Sequence, residues 1–165
     1  MTRRLYLLRH AKSSRDDPQL DDHERPLAPR GRKAARATAR WIEEHGVRPD
    51  LVLCSSAARA RATLDRVLPA LGGPRVRVEP GLYHASANDL LERVRALPDE
   101  AAAVMLIGHN PGLQELARLL APPGPATFPT GALATLETGV ACWSALAAGG
   151  ATLTALVLPR ALRPD

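Results

Sequence analysis

The chain has 165 residues, 45% of them hydrophobic, which suffices for one domain with a substantial core and leaves little room for a second. No apolar run approaches the roughly 20 residues that cross a bilayer, and the opening Met-Thr-Arg-Arg runs straight into a strand pattern rather than the apolar region of a signal peptide. The expectation is a single domain over residues 1–165, cytoplasmic and without a membrane partner. The formal charge is +5, yet all but two of the 22 basic residues are Arg, scattered through Ala-rich helical segments without a basic block. With only two Trp, two Tyr and one Phe for base stacking, the composition argues against a nucleic-acid partner.

The predicted elements alternate. Arg4–Leu8 reads as a short buried strand, and Ser13–Pro29, with paired Asp residues and three prolines, reads as a surface loop. Beyond Pro-Arg-Gly, the spacing of Ala34, Ala35, Thr38, Trp41, Ile42 and His45 predicts a helix that stops at Gly46 and Pro49. The stretch DLVLCSS predicts a second strand, followed by a helix with Ala60, Leu64, Val67, Leu68 and Leu71 on one face, ended by Gly-Gly-Pro. A short strand at Val76–Val78 precedes a helix carrying Leu90, Leu91, Val94 and Leu97, with Ser86 and Asp89 as a capping pair. The clearest strand is AAVMLIG; it enters HNPGLQELARLL, where Asn110 is expected to cap a helix and Pro111 to occupy its first position. The stretches GALATLET and ATLTALVLP suggest two final strands, with a hairpin as one arrangement. The fold class expected is α/β, a three-layer α/β/α sandwich around a mainly parallel sheet.

Three of these strands end in polar groups: Arg9 and His10 after the first, Ser55, Ser56 and Arg59 after the second, His109 and Asn110 after the AAVMLIG strand. In parallel α/β sheets the carboxyl ends of the strands share one side, where ligands bind. Two planar guanidinium forks and a helix N-terminus at Asn110–Gly112 suit the oxygens of a phosphoryl group. One neutral imidazole can attack phosphorus while the other, as imidazolium, stabilises the oxygens in transit. Other histidines and arginines read as ordinary: His23 and His45 as capping or packing residues, Arg61 and Arg66 as solvated helix surface. Cys54 and Cys142 are far apart and belong to no Cys/His cluster, so neither a metal nor a disulfide is expected. No glycine-rich nucleotide loop is present.

With these residues in view, the sequence resembles the histidine phosphatase superfamily, the phosphoglycerate mutase-like fold. LLRHAKS is similar to its Arg-His motif, RPLAPRG to its P-L-x-x-x-G segment, SSAARARATL to its S-x-x-x-R-A-x-x-T segment and GHNPGL to its second-histidine motif. RHAKS, GHNPG and the later FPTGA resemble more narrowly the phosphohistidine phosphatases of the SixA type. The resemblance implies His10 as phosphoacceptor, Arg9 and Arg59 as phosphate clamps, His109 as the second histidine of the phosphate pocket, with Asn110 beside it, and no metal or other cofactor. Arg59 and His109 are only 50 positions apart (109 − 59), which leaves little room for the covering insertions of larger relatives and suits a substrate borne on a protein. Many relatives use a carboxylate as proton donor, sometimes directly after the second histidine, where this chain has Asn110. Glu79, Tyr83, His84 and Asp89 are the nearby candidates, and His84 suits donation near neutral pH.

An imidazole leaving group depends least on such a donor, since phosphohistidine takes a proton from water before its bond breaks. The reading is therefore a phosphatase without a metal, acting through a phosphohistidine intermediate on a phosphohistidine carrier domain. The alternatives are a phosphomonoesterase for a small phosphorylated molecule and a phosphate-binding module without turnover.

Overall fold

Side chains alternate across a strand, and three central strands put this to the same use. Leu5 and Leu7, Leu51 and Leu53, and Val104 and Leu106 enter one core, while Tyr6 and Leu8, Val52 and Cys54, and Met105 and Ile107 enter another. Two separate cores mean a sheet covered on both faces. The computed structural model describes residues 1–162, and its strands are β1 (Arg3–Arg9), β2 (Leu51–Ser55), β3 (Arg75–Glu79), β4 (Ala103–Gly108), β5 (Leu133–Thr138) and β6 (Thr152–Val157). They form one sheet in the order β3-β2-β4-β1-β5-β6. The pairings β3–β2, β2–β4 and β4–β1 are parallel, whereas β5 runs antiparallel to both β1 and β6. The mainly parallel sheet is thus closed on one side by a C-terminal hairpin.

The helices are α1 (Pro29–His45), α2 (Ala58–Val67), α3 (Ala87–Arg95) and α4 (Gly112–Leu120). Ile42 of α1 and Ala60 and Leu64 of α2 fill one core, and Leu90 and Val94 of α3 with Leu113 and Leu116 of α4 fill the other. The expected three-layer sandwich is present. Gly46, in the left-handed conformation at φ 67°, ends α1, as a residue without a Cβ does at low cost. Ser86 and Asp89 form a reciprocal capping box on α3.

Three boundaries differ from the sequence expectation. Helix α4 begins at Gly112, not at Pro111, although the Asn110 carboxamide still accepts from Gln114 N at 3.2 Å and so satisfies a first-turn donor. The second helix tightens into a 3-10 turn over Leu68–Ala70, where Pro69 lacks the N–H that would continue it. The loop 13–29 is partly ordered, with a 3-10 turn at Asp22–Glu24 and an isolated bridge between Ser13 and Leu27. No described helix is long and apolar enough to cross a membrane.

Candidate active site

The sheet register assembles the site. Arg9 pairs with Gly108 across β1–β4, and Cys54 pairs with Ile107 across β2–β4. The ends of three strands therefore stand level, and His10 and His109, which follow β1 and β4, meet Ser55, the last residue of β2, and the start of α2 at the carboxyl edge. The His10 and His109 ring centroids are 5.1 Å apart. Arg9, His10, Arg59, His84, His109 and Asn110 all line one cavity of about 570 Å³, whereas Glu79, Tyr83 and Asp89 do not line it.

His10 is 6% exposed. Its Nδ1 lies 2.8 Å from the Ala11 carbonyl, an acceptor only, so Nδ1 carries the proton and Nε2 keeps its lone pair. Arg59 Nε donates to that Nε2 at 3.3 Å. Burial, and then the positive charges of His109, Arg59 and Arg9, lower the His10 pKa to about 3 against the opposing pull of the Ala11 bond. The ring is a neutral base at physiological pH.

His109 is set by Ser55. The Ser55 hydroxyl is buried, accepts from Ala57 N at 3.2 Å and lies 2.7 Å from His109 Nε2. Its own proton has that nitrogen as acceptor, which places the imidazole proton on Nδ1, an atom buried without a partner among the described residues. His109 thus presents an N–H donor while neutral. The sequence expectation was an imidazolium, but burial, followed by Arg59, His84 and Arg9, lowers its pKa to about 4, with Asp22 opposing. A phosphoryl dianion beside the ring acts in the opposite direction.

The arginines differ in their commitments. Arg9 Nη1 donates to Phe128 O at 3.1 Å, and its Nε is buried without a partner among the described residues. Arg59 is 7% exposed. Its Nη1 donates to Asp22 O at 2.7 Å and its Nη2 to Asp22 Oδ2 at 3.0 Å. Asn110 stands on the cavity wall, but its two amide protons go to Phe128 O at 2.8 Å and Gln114 Oε1 at 3.3 Å. Its side chain is a brace that fixes the same carbonyl that holds Arg9.

Of the proton-donor candidates, Glu79 is held by Arg93 through two bonds of 2.7 Å, and Asp89 is consumed by the capping box. The Tyr83 hydroxyl donates to Asp22 Oδ2 at 2.6 Å. His84 faces the cavity, its ring tilted 36° against that of Tyr83 with centroids 3.9 Å apart, and has φ 61°, the one positive φ at a non-glycine residue among those described, a conformation that costs energy and persists only where its surroundings enforce it. His23 makes structural contacts: its Nδ1 meets Glu24 Oε1 and its Nε2 meets Ser56 Oγ, both at 2.8 Å, and its ring packs edge-on against Tyr83 at 4.8 Å. His45 stacks on Trp41 as expected.

Asp22 and Arg25 were missed by sequence reasoning, which placed them in an undifferentiated loop. Both line the cavity, and Arg25, 8% exposed, donates to Asp22 Oδ1 at 3.2 Å and to Ser13 Oγ. The usable signal was an arginine directly before Pro26-Leu27, in a segment whose Gly31 has no room for a side chain: a Cβ there would lie 2.0 Å from Lys12 O. Gly112, which lines the cavity, is equally confined: a Cβ there would meet Ala85 O at 2.3 Å.

A three-layer sandwich with two histidines and two arginines gathered at its strand ends defines the class as a phosphatase of the phosphoglycerate mutase-like fold. The chain belongs to the histidine phosphatase superfamily (branch 1), whose family model matches residues 5–110. It is 32% identical over 163 residues to an uncharacterized protein of Mycobacterium tuberculosis, covering 93% of this chain and all of that one. It is 31% identical over 136 residues to the phosphohistidine phosphatase SixA of Escherichia coli, covering 80% and 83% of the two chains. The solved structure of the protein histidine phosphatase SixA complexed with tungstate superposes with a TM-score of 0.82 at 27% identity, over 96% of this chain and 98% of that one.

Proposed function

We propose that this phosphatase, working as one domain, passes the phosphoryl group of its substrate to His10 and then to water without a metal ion, and that the substrate is phosphohistidine carried on a protein. The observation that carries the reading is the locked tautomer of His10, with Nδ1 on the Ala11 carbonyl and Nε2 unprotonated beside Arg59. In the first step the Arg59 Nε–H hydrogen bond passes from His10 Nε2 to a phosphoryl oxygen, the freed Nε2 lone pair attacks phosphorus in line, the P–N bond of the substrate breaks, and its electron pair leaves with the substrate imidazole, which takes a proton from water. In the second step water attacks phosphorus and gives up a proton to solvent, the P–Nε2 bond breaks, and its electron pair returns to His10 as phosphate departs. Arg9, Arg59 and His109, which line the cavity together, supply stabilisation for the equatorial oxygens in transit. Among the described residues no group of three or more His, Cys, Asp or Glu is placed to hold a metal ion, and the arginines supply the positive charge.

A protein-borne substrate is supported by two observations. Between Arg59 and His109 the chain forms only the rest of α2, β3, α3 and β4 with their connecting turns, so little is available to cover the site. The solved relative described as a protein histidine phosphatase shares the fold over nearly its whole length. The test is a comparison of kcat/KM on a phosphohistidine-bearing carrier domain, a phosphoserine peptide and a sugar phosphate, with trapping of the intermediate. Acid-labile, base-stable phosphate is expected on the wild type and not on His10→Ala. A small phosphomonoester preferred by tenfold, about 1.4 kcal/mol in the transition state, would replace the protein substrate with a small molecule.

A further inference from the structure

Asp22 joins three groups of the site through one carboxylate. Oδ1 accepts from Arg25 Nη1, and Oδ2 accepts from both Arg59 Nη2 and the Tyr83 hydroxyl, while the Asp22 backbone carbonyl takes Arg59 Nη1. Both terminal nitrogens of Arg59 are thereby anchored on one residue, and the guanidinium can present only its Nε edge to His10. The guanidinium carbon also lies 5.9 Å from the centroid of the Tyr83 ring. The two arginines are buried, whereas the Asp22 side chain is 48% exposed.

We propose that Asp22 is a positioning residue of this phosphatase, which fixes the edge of Arg59 that meets the transferring phosphoryl group and limits how tightly the pocket holds a bare anion. The inference rests on the reading of Arg59 as a phosphate clamp. A carboxylate that accepts from two guanidinium groups neutralises part of their charge and restricts their motion, and these two effects have opposite signs for binding and for turnover. Held in register, Arg59 serves the transition state, in which donors placed beforehand need no reorganisation. Offset by an adjacent negative charge, the same arginine is a weaker trap for the ground-state phosphate product. Tyr83, as second donor to Oδ2, completes the anchor. A proton-donor role for Asp22 is disfavoured, because the Tyr83 hydroxyl foremost, and then Arg59 and Arg25, hold its carboxyl at about pKa 2.

The test uses the full chain and p-nitrophenyl phosphate as the substrate, with inorganic phosphate as a competitive inhibitor. Asp22→Ala is expected to lower kcat by about tenfold or more while lowering the inhibition constant of phosphate by about threefold or more, since a charge is lost but the arginines remain. The isosteric Asp22→Asn, which keeps an acceptor for Arg59, is expected to recover most of kcat and to retain the tighter phosphate binding. In an Arg59→Ala background, Asp22→Ala is expected to change kcat by less than about twofold, because a positioning residue has nothing left to position. The proposal is overturned by a wild-type kcat in Asp22→Ala, by weaker phosphate binding in either Asp22 variant, or by losses that multiply in the double variant. Failure of the underlying reading has a different signature: full turnover by Arg59→Ala itself.

Discussion

Acid should unfold this protein partly through the histidine that performs its chemistry. His10 is buried, and its folded-state pKa is lowered from the ordinary 6.5 to about 3. The sign follows from linkage: a histidine kept neutral in the fold takes up its proton on unfolding, so stability is full above the unfolded pKa and is lost as pH falls toward the folded one. Within that window the slope approaches 1.4 kcal/mol per pH unit for each proton, and partial titration near 6.5 reduces the expected loss from His10 to about 2.5 kcal/mol between pH 6 and pH 4. That is a sizeable share of the 5–15 kcal/mol typical of a domain. The measurement is urea unfolding of wild type and His10→Gln at the two pH values in buffers without phosphate, since a bound anion would stabilise the fold. His109, with its pKa at about 4, titrates in both proteins and cancels to first order. The wild type should lose about 2.5 kcal/mol more than the variant on acidification. Parallel losses would refute the claim that the fold holds His10 neutral.

Three further outcomes are expected. Arg59→Ala should reduce kcat/KM by about a hundred- to a thousandfold, roughly 3–4 kcal/mol; Arg61→Ala, whose side chain is exposed and bonds only Ser56 O, should remain near wild type in the same assay. Ser55→Ala removes the hydroxyl that fixes the His109 tautomer and should lower kcat by about tenfold, the equivalent of one hydrogen bond of about 1.4 kcal/mol, with circular dichroism and a melting curve to verify folding. Activity should survive EDTA and be blocked by vanadate, a mimic of five-coordinate phosphorus; loss on chelation with recovery on adding Mg²⁺ would contradict a mechanism in which arginines supply the charge.

The elements were legible because periodicity and strand-end chemistry are local. Alternation in β1, β2 and β4, the apolar faces of α1 to α4 and the Ser86 capping box are each written within a dozen residues, and the parallel order of the strands then places His10, Arg59 and His109 on one edge. The partners of those residues were less legible, because they come from distant segments. Phe128 braces Arg9, Ser55 orients His109 and Asp22 anchors Arg59 across 119, 54 and 37 positions respectively, and no spacing rule relates such pairs.

One motif shows how a local pattern encodes a distant assembly. Ser55 closes β2, and Arg59 and Thr63 follow on α2 four residues apart, the helical repeat that keeps side chains on one face. Ser55 bonds His109 Nε2, Arg59 donates to His10 Nε2, and Thr63 Oγ1 accepts from Ala11 N at 2.9 Å. A single stripe leading into and along α2 thus grips both histidines and the residue that follows the first of them. Displacing Arg59 or Thr63 by a single position, about 100° around the helix, would leave its partner unserved. The Asp22 anchor obeys no such repeat: its loop is held in place by the Ser13–Leu27 bridge and by Arg25, and its carboxylate becomes part of the site only once the sheet and α2 have brought Arg59 to it.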